Sequence, residues 1–150
     1  MFDLDDLYQQ VILDLNKNPR NYGKLDASSH DAEGHNPLCG DRCRVFVKVE
    51  DDRVQKISFD GEGCAISRSA ASVMTEAVKG LTLAEIEKLF KEYQDMVMGN
   101  EGDGDSSEVL GKLSVFAGVR EFPIRVKCAV LAWHTLKAAL SSEDEAITTE

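Results

Sequence analysis

Residues 45–80 read VFVKVEDDRVQKISFDGEGCAISRSAASVMTEAVKG, and two different periodicities meet in them. Val45, Val47 and Val49 alternate with Phe46 and Lys48, the period-two pattern of a strand. Asp51-Asp52 marks a turn, and Val54 to Phe59 reads as the return strand of a hairpin. Gly61, Gly63 and Cys64 then lead into a helix over about 65–79. Ile66, Ala70, Val73, Met74, Ala77 and Val78 make its apolar face, and Gly80 ends it. A hairpin followed at once by an amphipathic helix predicts a small antiparallel sheet with helices packed on one side, an α+β fold.

The flanks extend that scheme. Thr82 and Glu85 have capping-box spacing ahead of a helix over about 83–98, with Leu83, Ile86, Leu89, Phe90, Tyr93, Met96 and Val97 as its stripe. Gly99 to Ser107 is acidic and glycine-rich, which predicts a flexible loop. Asp103 and Asp105 sit there, but the glycine and distal glutamate of a calcium loop are out of register. A short helix is expected over 107–116. Pro123 suits the first turn of a last helix over about 123–141, and the polar tail after Ser142 is expected to fray. Upstream, Leu4, Leu7, Tyr8, Val11, Ile12 and Leu15 define a helix over about 3–17 that Pro19 stops. Residues 19–41 read as a long, mostly irregular segment with only a weak strand pattern within 22–40. No repeat or linker interrupts the chain, so one domain over 1–150 is expected.

Composition limits the function classes. The chain has 150 residues, 43% hydrophobic, with 17 basic against 27 acidic residues and a formal net charge of −10. Such a surface repels phosphate backbones, which argues against nucleic acid and anionic membranes as partners. No apolar run approaches the ~20 residues of a membrane span. The acidic start, Met1-Phe2-Asp3-Leu4-Asp5-Asp6, lacks the features of a secretory or transit peptide, so a cytoplasmic location is expected. Four cysteines in that compartment are expected as thiols, which raises metal binding or thiol chemistry.

Cys39 and Asp41 flank Gly40, Cys64 stands at a loop-to-helix junction, and Cys128 lies early in the last helix. Three thiolates and a carboxylate form a mixed donor set that zinc accepts, provided the fold unites them. Gly40 would let Cys39 and Asp41 both face one ion, and Gly61 and Gly63 would allow the bend before Cys64. Simple packing competes with this reading. Cys128 shares the apolar stripe of its helix, and free cysteine behaves as a small hydrophobe. Cys64 is balanced between the two, whereas Cys39 has no apolar face to join. Cys43 has the parity of Val45 and Val47, which points it into the core; the alternative is an extra thiol near Cys39. His30 and His35 read as solvated loop residues, and His134 falls on the wrong face to share an ion with Cys128. Arg120, Arg125 and Lys127 form a basic cluster that either is solvated or compensates thiolate charge.

Three segments together resemble a known family. Asn36-Pro37-Leu38-Cys39-Gly40-Asp41, Gly61-Glu62-Gly63-Cys64-Ala65-Ile66-Ser67 and Phe122-Pro123-Ile124-Arg125-Val126-Lys127-Cys128-Ala129 look like the U-type iron–sulfur cluster assembly proteins, the IscU, NifU N-terminal and SufU group. The SufU branch is the nearest resemblance. Residues 96–118 look like its insertion, and Lys127 stands where IscU scaffolds carry a histidine ligand. Phe122-Pro123-Ile124-Arg125-Val126 departs from the chaperone-recognition motif of IscU, and Cys43 departs from the SufU pattern. The resemblance implies a three-stranded antiparallel sheet with helices against it. It implies zinc held by Cys39, Asp41, Cys64 and Cys128, with Cys39 as sulfur acceptor and Arg125 as a supporting charge. It also implies a pyridoxal-phosphate cysteine desulfurase as sulfur donor and an iron–sulfur scaffold downstream. The alternative is a scaffold that holds iron or a [2Fe–2S] cluster on the same residues.

Overall fold

A computed structural model of the chain describes residues 4–26, 28–36, 40–99, 113, 115–116, 119, 122–141 and 147–148. The expected hairpin is its centre. Strand β2 (Asp41–Glu50) pairs antiparallel with β3 (Arg53–Glu62), placing Val45 opposite Phe59 and Val47 opposite Ile57. Asp51 and Asp52 both take left-handed backbone, φ 53° and 61°, the handedness that a two-residue hairpin turn needs to match strand twist.

On its other side β2 pairs antiparallel with β1 (His30–Asn36), in the segment whose strand pattern was weak. The reason lies in its inward positions, which are Ala32, Gly34 and Asn36 rather than branched aliphatics. Gly34 is required there. A Cβ on it would collide with the Thr135 hydroxyl and crowd Leu131, both on the last helix, so side chains of that helix pack directly on the bare Cα. The tail expected to fray contributes a two-residue strand, β4 (Ile147–Thr148), parallel to β1, and the sheet order is β3-β2-β1-β4. Pairing there covers an otherwise open sheet edge.

Helices α2 (Ala65–Val78) and α4 (Pro123–Leu140) pack on the sheet face that carries Ala32, Cys43, Val45, Val47, Ile57 and Phe59. Helix α1 (Leu4–Lys17) packs on α2, with Leu15 buried. Helix α3 (Leu83–Met98) starts at the expected capping box. The Glu85 N–H donates to the Thr82 hydroxyl at 3.1 Å, and the Thr82 N–H donates to the Glu85 carboxylate at 3.0 Å. Phe90 and Tyr93 of α3 stack on Trp133 of α4 with ring centroids 5.7 and 5.1 Å apart, and the Tyr93 hydroxyl donates to the Ala129 carbonyl at 2.7 Å. This aromatic seam fixes α4 along its length. The loop expected over 99–107 lies outside the described residues beyond Gly99. The helix expected over 107–116 does so except at Leu113, Val115 and Phe116; Leu113 and Phe116 are buried. Among the described residues no helix is long and apolar enough to cross a membrane.

Candidate metal centre

One end of this sandwich gathers chemistry. Asp41 opens β2 at an inward-facing position, Cys64 is the N-cap of α2 just after β3, and Cys128 lies in the second turn of α4. Their ligand atoms all lie within 4.8 Å of one another. Asp41 and Cys128 are buried, and Cys64 is half-buried. Cys39, the fourth expected member, and Arg120 lie outside the described residues. Arg125 lies in the exposed first turn of α4, one turn before Cys128.

The positions follow from local bonding. The Cys64 N–H donates to Asp41 Oδ1 at 2.9 Å, and the Cys64 sulfur accepts the Ser67 N–H at 3.4 Å, as an N-cap side chain does. Gly63 has a different role from the bend expected of it. A Cβ there would stand 2.6 Å from Asp41 Oδ1, so the carboxylate packs on a bare Cα and only glycine leaves the room. At Gly61 the backbone has φ +142°, and a Cβ would collide with the Arg42 carbonyl. Gly40, ahead of Asp41, has left-handed backbone at φ +69°, which glycine adopts without strain.

Asn36 has no role in the reading of the sequence beyond its place in a motif, yet it sits inside the centre. It pairs across the sheet with Asp41 and is fully buried. Its Nδ2 donates to Asp41 Oδ2 at 3.3 Å and to Cys128 Sγ at 3.5 Å, while its Oδ1 has no partner among the described residues. The available signal was a polar residue with the inward parity of Ala32 and Gly34.

Charge at the centre is tuned by these contacts. The Cys64 thiol is lowered to about 6, first by the Cys128 thiol hydrogen-bonding to its sulfur and then by the Ser67 and Ile66 N–H groups; burial and the Asp41 carboxylate work against this. Cys43 is the opposite case. It is 3% exposed in the core, and burial, with Asp60 and Asp41 nearby, pushes its thiol up to about 12. It packs with Val45 and Val47, as its parity indicated, and is not one of the three converging residues. The histidines also stand apart from them. His30 bonds the Ser29 hydroxyl at 2.8 Å, and His134 meets the Phe90 ring edge at 5.1 Å. His35 lines a cavity of about 460 Å³ with Gly40, Asp41, Arg42 and Glu62, which opens beside the centre.

The donor set fits a thiophilic divalent cation. A buried carboxylate is costly without a counter-charge, and among the described residues no basic side chain pairs with Asp41. Tetrahedral zinc with sulfur and oxygen ligands needs ligand–ligand separations of ~3.6–3.8 Å, about 1 Å inside the observed spread.

The description of the NifU-like N-terminal domain matches residues 7–129. The chain belongs to this family. Among similar family proteins is the zinc-dependent sulfurtransferase SufU of Bacillus subtilis, 44% identical over 142 residues that cover 95% of each chain. The iron–sulfur cluster assembly scaffold protein IscU of Streptococcus pyogenes is 39% identical over 91% of this chain and 84% of its own. A solved structure described as an iron–sulfur cluster assembly scaffold protein of the SUF system, from Fervidobacterium islandicum, superposes with a TM-score of 0.81 at 35% identity, covering 87% of this chain and 94% of that one. The expected α+β fold, a three-stranded antiparallel sheet with helices against it, is present in β1–β3, and β4 adds to its edge.

Proposed function

We propose that the protein is a zinc-dependent sulfur-transfer component of iron–sulfur cluster assembly. Cys39, Asp41, Cys64 and Cys128 hold the metal, and Cys39 accepts persulfide sulfur from a cysteine desulfurase. The observation that carries this is the convergence of Asp41, Cys64 and Cys128 within 4.8 Å. Cys39 is two residues from Asp41 along the chain, and the proposal brings it to the same point. The likeness to the SufU of B. subtilis, a zinc-dependent sulfurtransferase by name, supports the choice of metal and reaction.

Zinc, when bound, would supply a redox-inert positive charge that keeps several thiols ionised at neutral pH. The protein's own residues do the rest. Asp41, lying against the cavity, is an oxygen donor in a set otherwise made of sulfur. Closed structural zinc sites use cysteine and histidine, so a carboxylate member suits a centre whose thiolate must be released. The freed Cys39 thiolate attacks the outer sulfur of the desulfurase's cysteine persulfide. A new S–S bond forms on Cys39, the old S–S bond breaks, and its electron pair leaves with the desulfurase cysteine as thiolate. The exchange needs no oxidant or reductant and is the persulfide form of thiol–disulfide exchange. Arg125, one turn before Cys128, is the supporting cation in this scheme. An iron–sulfur scaffold downstream takes the sulfur, and the cavity beside Asp41 is the approach for the desulfurase's persulfide.

The test is anaerobic incubation of the zinc-loaded protein with cysteine and a desulfurase, followed by mass spectrometry. The wild type should gain one sulfur atom on the peptide containing Cys39, and Cys39→Ala should gain none and fail to stimulate the desulfurase. Full stimulation by Cys39→Ala would remove that residue from the mechanism. Iron in near-stoichiometric amount, with visible absorbance, would replace the reading with a scaffold.

A further inference from the structure

We infer that Asn36 is the positioning residue of the metal centre: its amide nitrogen holds Cys128 and Asp41 in coordinating geometry. The inference deepens the reading above and rests on it, since it concerns which members of the centre stay in place while Cys39 reacts.

The geometry is specific. Asn36 and Asp41 are cross-strand partners at the last pair of the β1–β2 ladder, so the strand register itself sets their distance. The two Nδ2 hydrogens go to two different ligand atoms, Asp41 Oδ2 at 3.3 Å and Cys128 Sγ at 3.5 Å. The reverse amide orientation would turn Oδ1 toward a carboxylate and a sulfur, both acceptors, so the neighbours fix the orientation. The consequence is an Oδ1 left without a partner among the described residues, with Asn36 0% exposed. A side chain chosen for packing alone would not leave an orphaned acceptor there; leucine has nearly the same shape and no polar atom. Placing an N–H on each of two ligand atoms accounts for it.

The bonds also sort the thiols. An N–H donated to a thiolate stabilises its charge and keeps its direction. Cys64 has such a donor in the Ser67 backbone and Cys128 has one in Asn36. Asp41 is held on both oxygens, by the Cys64 N–H and by Asn36. These three residues therefore keep their places as a preformed tripod, and the release of Cys39 leaves a three-point holder.

The test uses Asn36→Leu, nearly isosteric and without donors, and Asn36→Ala, each in the full chain. Zinc release to a chelator is measured by competition, the cobalt-substituted proteins are examined by absorption, and the metal-free proteins are unfolded in urea. The expected result is zinc held roughly 10–100-fold more weakly in both variants. The sulfur-to-cobalt charge-transfer band should move to lower energy, because a thiolate stripped of its N–H donor is more electron-rich. Metal-free Asn36→Leu should unfold at the wild-type urea midpoint or above it. Zinc release within twofold of wild type with an unmoved cobalt band would overturn the inference, as would failure of both variants to fold. The two readings fail separately. A wild type that keeps zinc but takes up no sulfur defeats the proposed function alone. A wild type that takes up sulfur beside Asn36 variants with unaltered zinc and cobalt defeats the inference alone.

Discussion

Replacing Gly63 with alanine adds one methyl group to the backbone against which Asp41 packs. That carbon would stand 2.6 Å from Asp41 Oδ1 and 3.1 Å from its Cγ, so the oxygen falls 0.8 Å short of the 3.4 Å at which ordinary contact begins. A retreat of that size stretches the 2.9 Å bond from the Cys64 N–H by up to 0.8 Å, toward or past the ~3.5 Å limit of a hydrogen bond. Hydrogen bonds to charged groups contribute ~1.5–3 kcal/mol, so the metal-free fold should lose about that much. Displacing a ligand carboxylate from its support should weaken zinc binding about 10–100-fold. Gly80→Ala, at the far end of α2 from Cys64, is the matched control. Gly80 sits at φ +88° with nothing among the described residues within 4 Å of its added carbon, so alanine there costs ~1–2 kcal/mol of backbone strain but pushes on no ligand. Chelator competition for zinc, paired with urea unfolding of the metal-free proteins, separates the two. Both variants should be destabilised, and only Gly63→Ala should loosen zinc. Wild-type zinc affinity in Gly63→Ala would refute the packing of Asp41 on Gly63.

Other outcomes follow from the same geometry. In metal-free protein, Cys64 should alkylate with a pH profile centred near 6, reactive above that pH and silenced as pH falls through it. Cys128→Ala should move the profile upward toward the ordinary thiol value of 9.0, because the Cys128 hydrogen bond is the largest cause of the lowering; an unmoved profile would refute that cause. Cys43, pushed up to about 12 by burial, should resist alkylation at pH 8 in the folded protein and react only in denaturant, as mass mapping would show; labelling without unfolding would contradict its burial. Thr82→Ala breaks the capping box of α3 and should cost ~1 kcal/mol in urea unfolding without changing zinc content.

The sequence carried the hairpin and the long helices plainly, because Val45, Val47 and Val49 face one core and because Thr82, Gly80 and Pro123 punctuate the helices. It carried β1 poorly for a physical reason. Thr135 and Leu131 of helix α4 leave no room for a side chain at Gly34, and with Ala32 and Asn36 at the other buried positions no hydrophobic alternation survives. Pairing of Ile147–Thr148 with β1 was illegible because two residues in a polar tail have no periodicity. Three of the four expected site residues meet, and the sequence marked them by chemistry: a carboxylate beside Cys39-Gly40 in an irregular segment, a cysteine preceded by glycine at a helix start, and a cysteine early in the last helix. The roles of Asn36 and Gly63 are not legible in the sequence because they are relational. One exists through strand register, the other through the space a neighbour occupies, and neither is a property of local sequence.

The central claim is that sulfurs and one carboxyl oxygen from distant parts of the chain share a single zinc ion. X-ray absorption at the zinc edge of the anaerobically purified protein tests it directly. The account predicts one zinc per chain, with a dominant sulfur shell at ~2.3 Å and one oxygen at ~2.0–2.2 Å, and loss of the oxygen contribution in Asp41→Ala. A shell of oxygen and nitrogen only, or an Asp41→Ala spectrum identical to wild type, would contradict it.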